Sequence, residues 1–379
     1  MANAPAEVVK QRLYSLDIAR GIMAVSVFLT HAGSCAPQLS ITHLLIGFLL
    51  NVQHYFLWCN HGVHWGVVAF VVLSGFCIHM PTAKRGAKKV ILPYYARRRF
   101  YRIFPVLCAA SCLGLVALYI THRLQGIHFL HALYNLSLVS GFISLPDPPG
   151  NILLLTVIVE CLLYAIYPFA IPKSKKQWGG VLSGALIIYF LNSAILLYLK
   201  VDSTWVENDL FAFAIFWWIG AFFAEITFNR SEWANFISPN ARVAAVGYAV
   251  YLVIGNWIVL RGAHIFKSLL LAVVVGYLLF WVVSSETKNR GRIRGVRLLG
   301  FMAAIGERSY SLYLVHLPVL AIFRYFVKGT SISGTSELDV ITLLVVMAGT
   351  AIFYSLVEKP WHDYAKAASN KALGRLALA

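Results

Sequence analysis

Long apolar stretches alternate with short polar segments along nearly the whole chain. About ten of these stretches approach the roughly 20 residues that an α-helix needs to cross a bilayer. The pattern predicts an all-α integral membrane protein with about ten transmembrane helices. The stretches are Leu16–Ala32, Val63–Met80, Ile103–Thr121, Asn151–Ile171, Trp178–Leu199, Leu210–Phe228, Val243–Leu260, His264–Val283, Phe301–Phe326 and Val340–Val357.

Two further apolar segments, Ile41–Trp58 and His131–Leu145, are shorter or interrupted by polar residues such as Asn51 and Asn135. We expect both to be interfacial or re-entrant pieces buried against protein. The composition agrees with a membrane protein, because 59% of the residues are hydrophobic and only 12% are charged. A soluble chain of 379 residues does not have this balance.

Basic residues concentrate in alternate connections, which indicates the cytoplasmic side of the membrane. The second, fourth and eighth predicted helices are each followed by basic residues, whereas Ser34–Gly62 contains no Lys or Arg. This predicts cytoplasmic termini, with a segment 1–15, a membrane domain 16–360 and a tail 361–379. The net charge of +17 therefore reflects topology and does not indicate a nucleic-acid partner. The basic residues are Lys84, Arg85, Lys88, Lys89, Arg97, Arg98, Arg99 and Arg102, then Lys173, Lys175 and Lys176, then Lys288, Arg290, Arg292, Arg294 and Arg297.

Polar residues inside the first predicted helix are the strongest functional signal. Arg20 and His31 are eleven positions apart, so they share one helix face about 16 Å apart along the axis. Asp17, one turn before Arg20, lies on the same face. A cation in hydrocarbon is costly, so we expect Arg20 to line a protein cavity together with His31. The alternative is that the Arg20 side chain extends to the cytoplasmic edge of the membrane and His31 lies at the outer edge. Histidine exchanges protons near neutral pH, which makes His31 a candidate catalytic base.

Two polar positions in the second and fourth predicted helices are further candidates. Glu160 and Tyr164 are one turn apart and share a helix face. Glu160 is a candidate catalytic residue, or it forms a structural ion pair, for instance with Arg20. Ser74 stands next to Gly75, and this pair is typical of close helix packing.

The ninth predicted helix contains the sequence SYSLYLVHLP, with Tyr310, Tyr313 and His316. These residues are candidates for contacts with an acceptor or with an oxyanion. The alternative for the two tyrosines is a place in the core with satisfied hydroxyl groups.

The run PYYARRRFYRIFP contains Arg97, Arg98, Arg99 and Arg102. Guanidinium groups bind phosphates in paired geometry, so the run predicts a site for a phosphorylated ligand on the cytoplasmic side. The alternative is anchoring by anionic membrane lipid.

The cysteines and outer histidines carry weaker signals. The six cysteines contain no CxxC pair, but Cys35 and Cys59 both lie on the predicted outer side and could pair in an oxidising compartment. His54, His61 and His64 lie in the same segment. No fourth zinc ligand accompanies them, so we expect interfacial histidines and no metal site.

Taken in order, these motifs resemble the acyltransferase-3 family of integral-membrane O-acyltransferases, in the branch with a stand-alone membrane domain. The hallmark of that family is a basic residue, ten residues and then His on the first helix, matched by Arg20 and His31. The segments FVVLSGFCIH, RRRFYRIFP, SYSLYLVHLPV and LVEKP resemble its second-helix, basic-loop, ninth-helix and C-terminal patterns. In the fourth helix Glu160, Tyr164 and Pro168 match, whereas the family's Trp and Ser residues are missing from LTVIVECLLYAIYP.

The resemblance implies an acyl-CoA donor, most often acetyl-CoA, which is a substrate and not a permanently bound cofactor. It implies a hydroxyl acceptor on a surface polysaccharide, a lipopolysaccharide, a secreted or lipid-linked saccharide, or a small molecule such as a macrolide. The CoA phosphates would suit the arginines of 97–102, and the pantetheine arm could carry the thioester past Arg20 toward His31. The expected location is a bacterial inner membrane.

A transporter or flippase for an anionic or lipid-linked substrate is the alternative, since it would also have about ten helices with charges inside the membrane. The sequence shows no inverted repeat and no pair of helices broken by Gly or Pro in its two halves. Both features are common in transporters. Release of free CoA thiol by the purified protein distinguishes the two functions.

Overall fold

The computed structural model describes most of the chain, and all the regular elements that it describes are helical, which confirms the all-α fold class. The described residues are 12–32, 64–86, 89–137, 154–199, 209–229, 233, 237–260, 264–288, 297–330 and 336–377. The helices are α1 (Tyr14–Ala32), α2 (Trp65–Lys84), α3 (Leu92–Ile120), α4 (Gly126–Leu136), α5 (Leu154–Ala170), α6 (Lys175–Tyr198), α7 (Leu210–Phe228), α8 (Ala241–Leu260), α9 (His264–Lys288), α10 (Arg297–Glu307), α11 (Ser309–Val327), α12 (Ser336–Phe353), a π-helical turn (Tyr354–Glu358) and α13 (Lys359–Ala377).

Within the described residues, 7 helical segments are long and apolar enough to cross a membrane. They lie in α2, α3, α6, α7, α9, α11 and the run from α12 into α13, and α5 and α8 contain shorter apolar stretches. The 19 residues of α1 would extend about 28 Å, although α1 is not among those segments. These helices make the chain a multi-pass membrane protein. Ile41–Trp58, Cys35, Cys59, His54 and His61 lie outside the described residues.

Two glycines allow α2 and α7 to approach closely. A Cβ atom on Gly75 would overlap the carbonyl group of Trp217, and a Cβ atom on Gly220 would overlap the carbonyl group of Val72. Glycine permits such backbone contact between membrane helices because it has no side chain. Gly75 therefore has the packing role expected of this position. The hydroxyl of its neighbour Ser74 instead lies 2.7 Å from the Tyr164 hydroxyl.

The N-terminus of α1 is held by a carboxylate from the end of α9. Glu286 accepts hydrogen bonds from the backbone N–H of Tyr14 (2.8 Å) and Ser15 (3.1 Å), and from the Ser15 hydroxyl (2.5 Å). The first N–H groups of a helix have no partner inside the helix, so this contact stabilises the start of α1. It also fixes the axial position of Arg20 and His31.

The basic run expected to be a loop is helical, which corrects that prediction. Helix α3 begins at Leu92 and has Pro93 in its first turn. Proline is favourable there because it has no N–H group to satisfy and its φ angle is already helical. The arginines of 97–102 therefore point in different directions around the first turns of α3.

The ninth predicted helix, Phe301–Phe326, is two helices in the structure, which corrects a second prediction. The chain leaves helical geometry at Arg308, with φ −101° and ψ 7°, between α10 and α11. The new helix start is satisfied by Glu358, which accepts from the Ser311 N–H at 3.1 Å and from the Ser311 hydroxyl at 2.5 Å. Glu358, which is distant in sequence, thus stabilises the helix start that the break creates.

Candidate active site

The Arg20 side chain lies between α1 and α2. Its Nη1 atom donates to Asp17 Oδ1 at 3.1 Å and its Nη2 atom to Cys77 Sγ at 3.1 Å. Asp17 Oδ2 also accepts from Arg12 Nε at 2.7 Å, and this bond raises the pKa of Arg12, which lies before α1. Asp17, and not Glu160, therefore orients the Arg20 guanidinium.

Glu160 belongs to a chain of hydroxyl groups. Tyr164 donates its hydroxyl to Glu160 Oε2 at 3.0 Å, and the same hydroxyl lies 2.7 Å from Ser74 Oγ. None of the ion pairs among the described residues includes Glu160, so the expected alternative of a pair with Arg20 is not found there. Glu160 is close enough to Arg20 for an electrostatic interaction. The structure thus brings Ser74, Tyr164 and Glu160 together beside Arg20.

The arginines of α3 divide into two groups. Arg97 is exposed, and Arg98 donates to the Tyr94 hydroxyl at 2.5 Å. The guanidinium carbon of Arg99 lies 5.9 Å from the ring centre of Tyr164, which places Arg99 over the hydroxyl chain. Arg97 and Arg98 therefore lie at the rim, and Arg99 faces the interior.

Arg102 also faces the interior. It interacts electrostatically with Arg99, Arg20 and Glu358. The Nε atom of Arg99 is buried and has no hydrogen-bond partner among the described residues. Arg99 and Arg102 thus form a cationic pair beside Tyr164, with donor capacity that an anionic ligand can use.

A second centre lies at the other end of α1, where His31 meets His316 of α11. His31 Nδ1 is 3.1 Å from His316 Nε2, and His316 Nδ1 is 2.8 Å from the Leu312 carbonyl oxygen. A carbonyl only accepts, so His316 Nδ1 carries the proton, and in a neutral ring Nε2 accepts from His31 Nδ1–H. The backbone carbonyl of Val27 also interacts with His31. This assignment leaves the lone pair of His31 on Nε2.

His64 lies beside this centre but cannot replace His31 as a base. His64 Nδ1 accepts from the backbone N–H of Gly66 at 3.0 Å and caps α2, so its proton is on Nε2, 3.0 Å from Thr30 Oγ1. Both ring nitrogens of His64 are therefore engaged.

Arg324 Nη2 donates to the His31 carbonyl oxygen at 2.8 Å, which fixes the end of α1.

Tyr310 and Tyr313 occupy the space between the two centres. Tyr310 donates to the Ile103 carbonyl at 3.4 Å and interacts electrostatically with Glu160. Tyr313 is buried, with its hydroxyl beside Thr156, and its ring centre is 6.5 Å from that of His316. His316 itself has no exposed surface, and its two ring nitrogens face His31 and the Leu312 carbonyl oxygen.

A comparison with known protein families assigns the chain to one of them. A family model described as an acyltransferase domain matches residues 13–357. The chain belongs to the acyltransferase-3 family. It is therefore a membrane acyltransferase, and the matched region contains Arg20, His31 and the inner arginines. Neither the curated proteins nor the solved structures include a match to this chain.

Sequence reasoning missed one polar network of this acyltransferase. His79 Nε2 lies 2.7 Å from Glu225 Oε2 and its Nδ1 atom lies 2.9 Å from the Tyr167 hydroxyl, which in turn contacts Thr82 Oγ1 at 2.9 Å. The sequence signal that could have revealed this network was the presence of His79 in the second apolar stretch and of Glu225 near the end of the sixth. The network ties α2, α5 and α7 together and lies outside the two centres described above.

Proposed function

We propose that the chain is an O-acyltransferase that moves an acyl group, with acetyl as the first candidate, from cytoplasmic acyl-CoA to a hydroxyl group of a saccharide acceptor. The observation that carries the proposal is the directed lone pair of His31. The hydrogen bonds of His316 leave one basic nitrogen, Nε2, on a partly exposed ring. A positioned base of this kind is what a hydroxyl nucleophile requires.

The donor would bind at the opposite end of α1. Arg99 and Arg102 supply paired guanidinium groups for the CoA phosphates. Arg20, held by Asp17, lies next along this side and would position the pantetheine arm between the phosphates and the thioester. Arg20 and His31 are about 16 Å apart along the helix axis, so a thin extended arm is needed to bring the acyl carbon to His31.

In the proposed reaction His31 Nε2 takes the proton from the acceptor hydroxyl as its oxygen attacks the thioester carbonyl. The carbon–oxygen bond forms, the carbon–sulfur bond breaks, and the acyl group passes to the acceptor. General base catalysis of this kind contributes about 10²–10⁴-fold in rate. His316 acts through His31 and is a positioning residue.

The proposed topology places the donor and the acceptor on opposite sides of the membrane. About ten spans with cytoplasmic termini would put residues 1–15, the basic run and residues 361–379 inside, in a bacterial inner membrane. The distribution of Lys and Arg supports this arrangement. The acceptor would then approach His31 from the outer side, and the acyl group would cross the bilayer without the rest of CoA.

The test uses purified protein in lipid nanodiscs with acetyl-CoA and candidate acceptors. Free CoA thiol is followed with a thiol reagent, and the acceptor is analysed by mass spectrometry, with surface saccharides and a macrolide as separate arms. Wild-type protein should release thiol and add one acetyl group, and H31A should lose about 10²–10⁴-fold in rate. A folded, inserted H31A protein that acetylates at the wild-type rate would overturn the proposal, as would wild-type protein that releases no thiol with any acceptor.

A further inference from the structure

Arg324, in the last turn of α11, contacts the histidine that the proposed reaction uses as its base. Its Nη2 atom donates to the His31 carbonyl oxygen at 2.8 Å, whereas the His31 ring contacts His316 through Nδ1 at 3.1 Å. Carbonyl groups of an α-helix point toward its C-terminus, and side chains lean toward its N-terminus. A ligand that enters past the C-terminal end of α1 therefore meets the Arg324 guanidinium next to His31.

The guanidinium of Arg324 keeps most of its hydrogen-bonding capacity. The residue is exposed, and its side chain donates to the His31 carbonyl and to no other group among the described residues. None of the ion pairs in that part of the chain includes Arg324. A guanidinium presents several N–H groups in a planar fork that fits a carboxylate or a phosphate. One N–H group thus anchors the side chain, and the others remain for a ligand.

The charge of Arg324 also affects the proton that His31 must accept. During the proposed reaction the His31 ring becomes an imidazolium, and the guanidinium that interacts electrostatically with it is already positive. Two like charges so close together repel each other, most strongly where little water screens them. A negative group bound to Arg324 would offset this repulsion as the acceptor hydroxyl gives up its proton. An anionic acceptor would therefore both bind at Arg324 and favour the proton transfer.

We infer that the acceptor carries an anionic group close to the hydroxyl that is acylated, and that Arg324 binds this group. The inference rests on the proposed function and names the class of its acceptor, a saccharide with a carboxylate, such as a uronic acid residue, or with a phosphate. Both groups supply the same chemistry, a pair of anionic oxygens for one guanidinium. Arg324 is then a specificity-determining residue that holds the acceptor with its hydroxyl at His31 Nε2.

The test uses three probes that differ only at carbon 6 and offer the same hydroxyl groups: methyl glucuronoside, methyl glucoside 6-phosphate and the neutral methyl 6-deoxyglucoside. Transfer from acetyl-CoA to each probe is measured in nanodiscs by mass spectrometry and by release of CoA thiol. We expect the wild-type kcat/KM for an acidic probe to exceed that for the neutral probe about tenfold or more, the lower end for a hydrogen bond to a charged group. The two acidic probes distinguish a carboxylate from a phosphate.

Variants of Arg324 separate its charge from its contact with α1. R324Q keeps a donor for the His31 carbonyl and removes the charge, whereas R324K keeps the charge. K328A is the matched control, because Lys328 is an exposed cation four positions further along the chain. R324Q should lose the preference for acidic probes, mainly through a higher acceptor KM, and its kcat with the neutral probe should be no lower than that of wild type. R324K and K328A should keep the preference, and thermal unfolding checks that all three proteins are folded.

The inference is overturned if folded R324Q loses kcat equally with all three probes, since Arg324 would then only fix α1 or contact the oxyanion. An equal loss of preference in K328A would indicate the general charge of this surface and would also overturn it. So would wild-type protein without a preference, or one that acetylates none of the probes while it acetylates a saccharide used to test the proposed function. Protein that releases no thiol with any acceptor rejects the proposed function instead, so the two failures are distinguishable.

Discussion

His31 and His316 are joined side chain to side chain, with Nδ1 of His31 lying 3.1 Å from Nε2 of His316 across 285 positions of sequence. The second ring is anchored to its own helix through the Leu312 carbonyl. A hydrogen bond to one imidazole nitrogen decides which nitrogen is left to act as a base. The α1–α11 interface therefore sets the tautomer as well as the position of His31.

Replacing His316 tests this control of the tautomer. H316F removes the acceptor and keeps a ring of similar size, so we expect kcat to fall about 10–100-fold, the loss that is typical when the partner orienting a metal-bound His is removed. H316Q offers a side-chain oxygen near the Nε2 position and should be closer to wild type. The measurement is kcat against pH for both variants. Equal kcat values and pH profiles for H316F and wild type would show that His316 only fills space.

The two groups of arginines on α3 predict a difference in donor binding. The double variant R99A/R102A should raise the donor KM about tenfold or more, since hydrogen bonds to charged groups contribute about 1.5–3 kcal/mol each. R97A is the matched control, because Arg97 is exposed at the rim of the same helix, and it should leave the donor KM unchanged. Titration with a non-hydrolysable acyl-CoA analogue gives the affinities directly. An equal loss of affinity in both proteins would mean that the run acts through lipid or net charge.

We expect the two arginine partners of Asp17 to differ in their contribution to kcat/KM for the donor. D17N should lower kcat/KM for the donor about tenfold, because Arg20 loses the carboxylate that orients it; this is the size expected for one charged hydrogen bond. The control is R12A: the Arg12 side chain is 45% exposed, and such a pair contributes about 0–1 kcal/mol. Steady-state kinetics of the two purified variants separate the effects. A greater loss of kcat/KM in R12A than in D17N would contradict this reading.

The glycine contacts between α2 and α7 predict a sharp packing penalty. G75A or G220A would force a methyl group into the opposite backbone, so we expect a loss of about 1–3 kcal/mol or more in the free energy of unfolding. G184A is the control, because a Cβ atom at Gly184 meets no atom within 4 Å. Thermal unfolding in one detergent compares the three proteins. Unfolding midpoints of G75A and G220A that equal that of G184A would show that the two helices can separate at little cost.

Local patterns predicted much of the architecture and the first-helix motif. Hydropathy identified most of the helices, in one case, Leu210–Phe228, with the same bounds as the structure. The helical repeat placed Asp17 and Arg20 on one face, where they form an ion pair at 3.1 Å. It could not choose between Asp17 and Glu160 as the partner of Arg20, because Glu160 belongs to another helix.

What the sequence by itself determined is therefore what depends on neighbours within a few turns: helix formation, membrane character and the face shared by Arg20 and His31. Only the tertiary structure decided the break at Arg308, the partner of His31 and the division of the arginines into rim and interior. Each depends on an acceptor or a ring that packing brings from far along the chain, such as Glu358, which lies 47 positions from Ser311. Hydropathy and periodicity carry no information on such pairs, since they do not record which helices become neighbours.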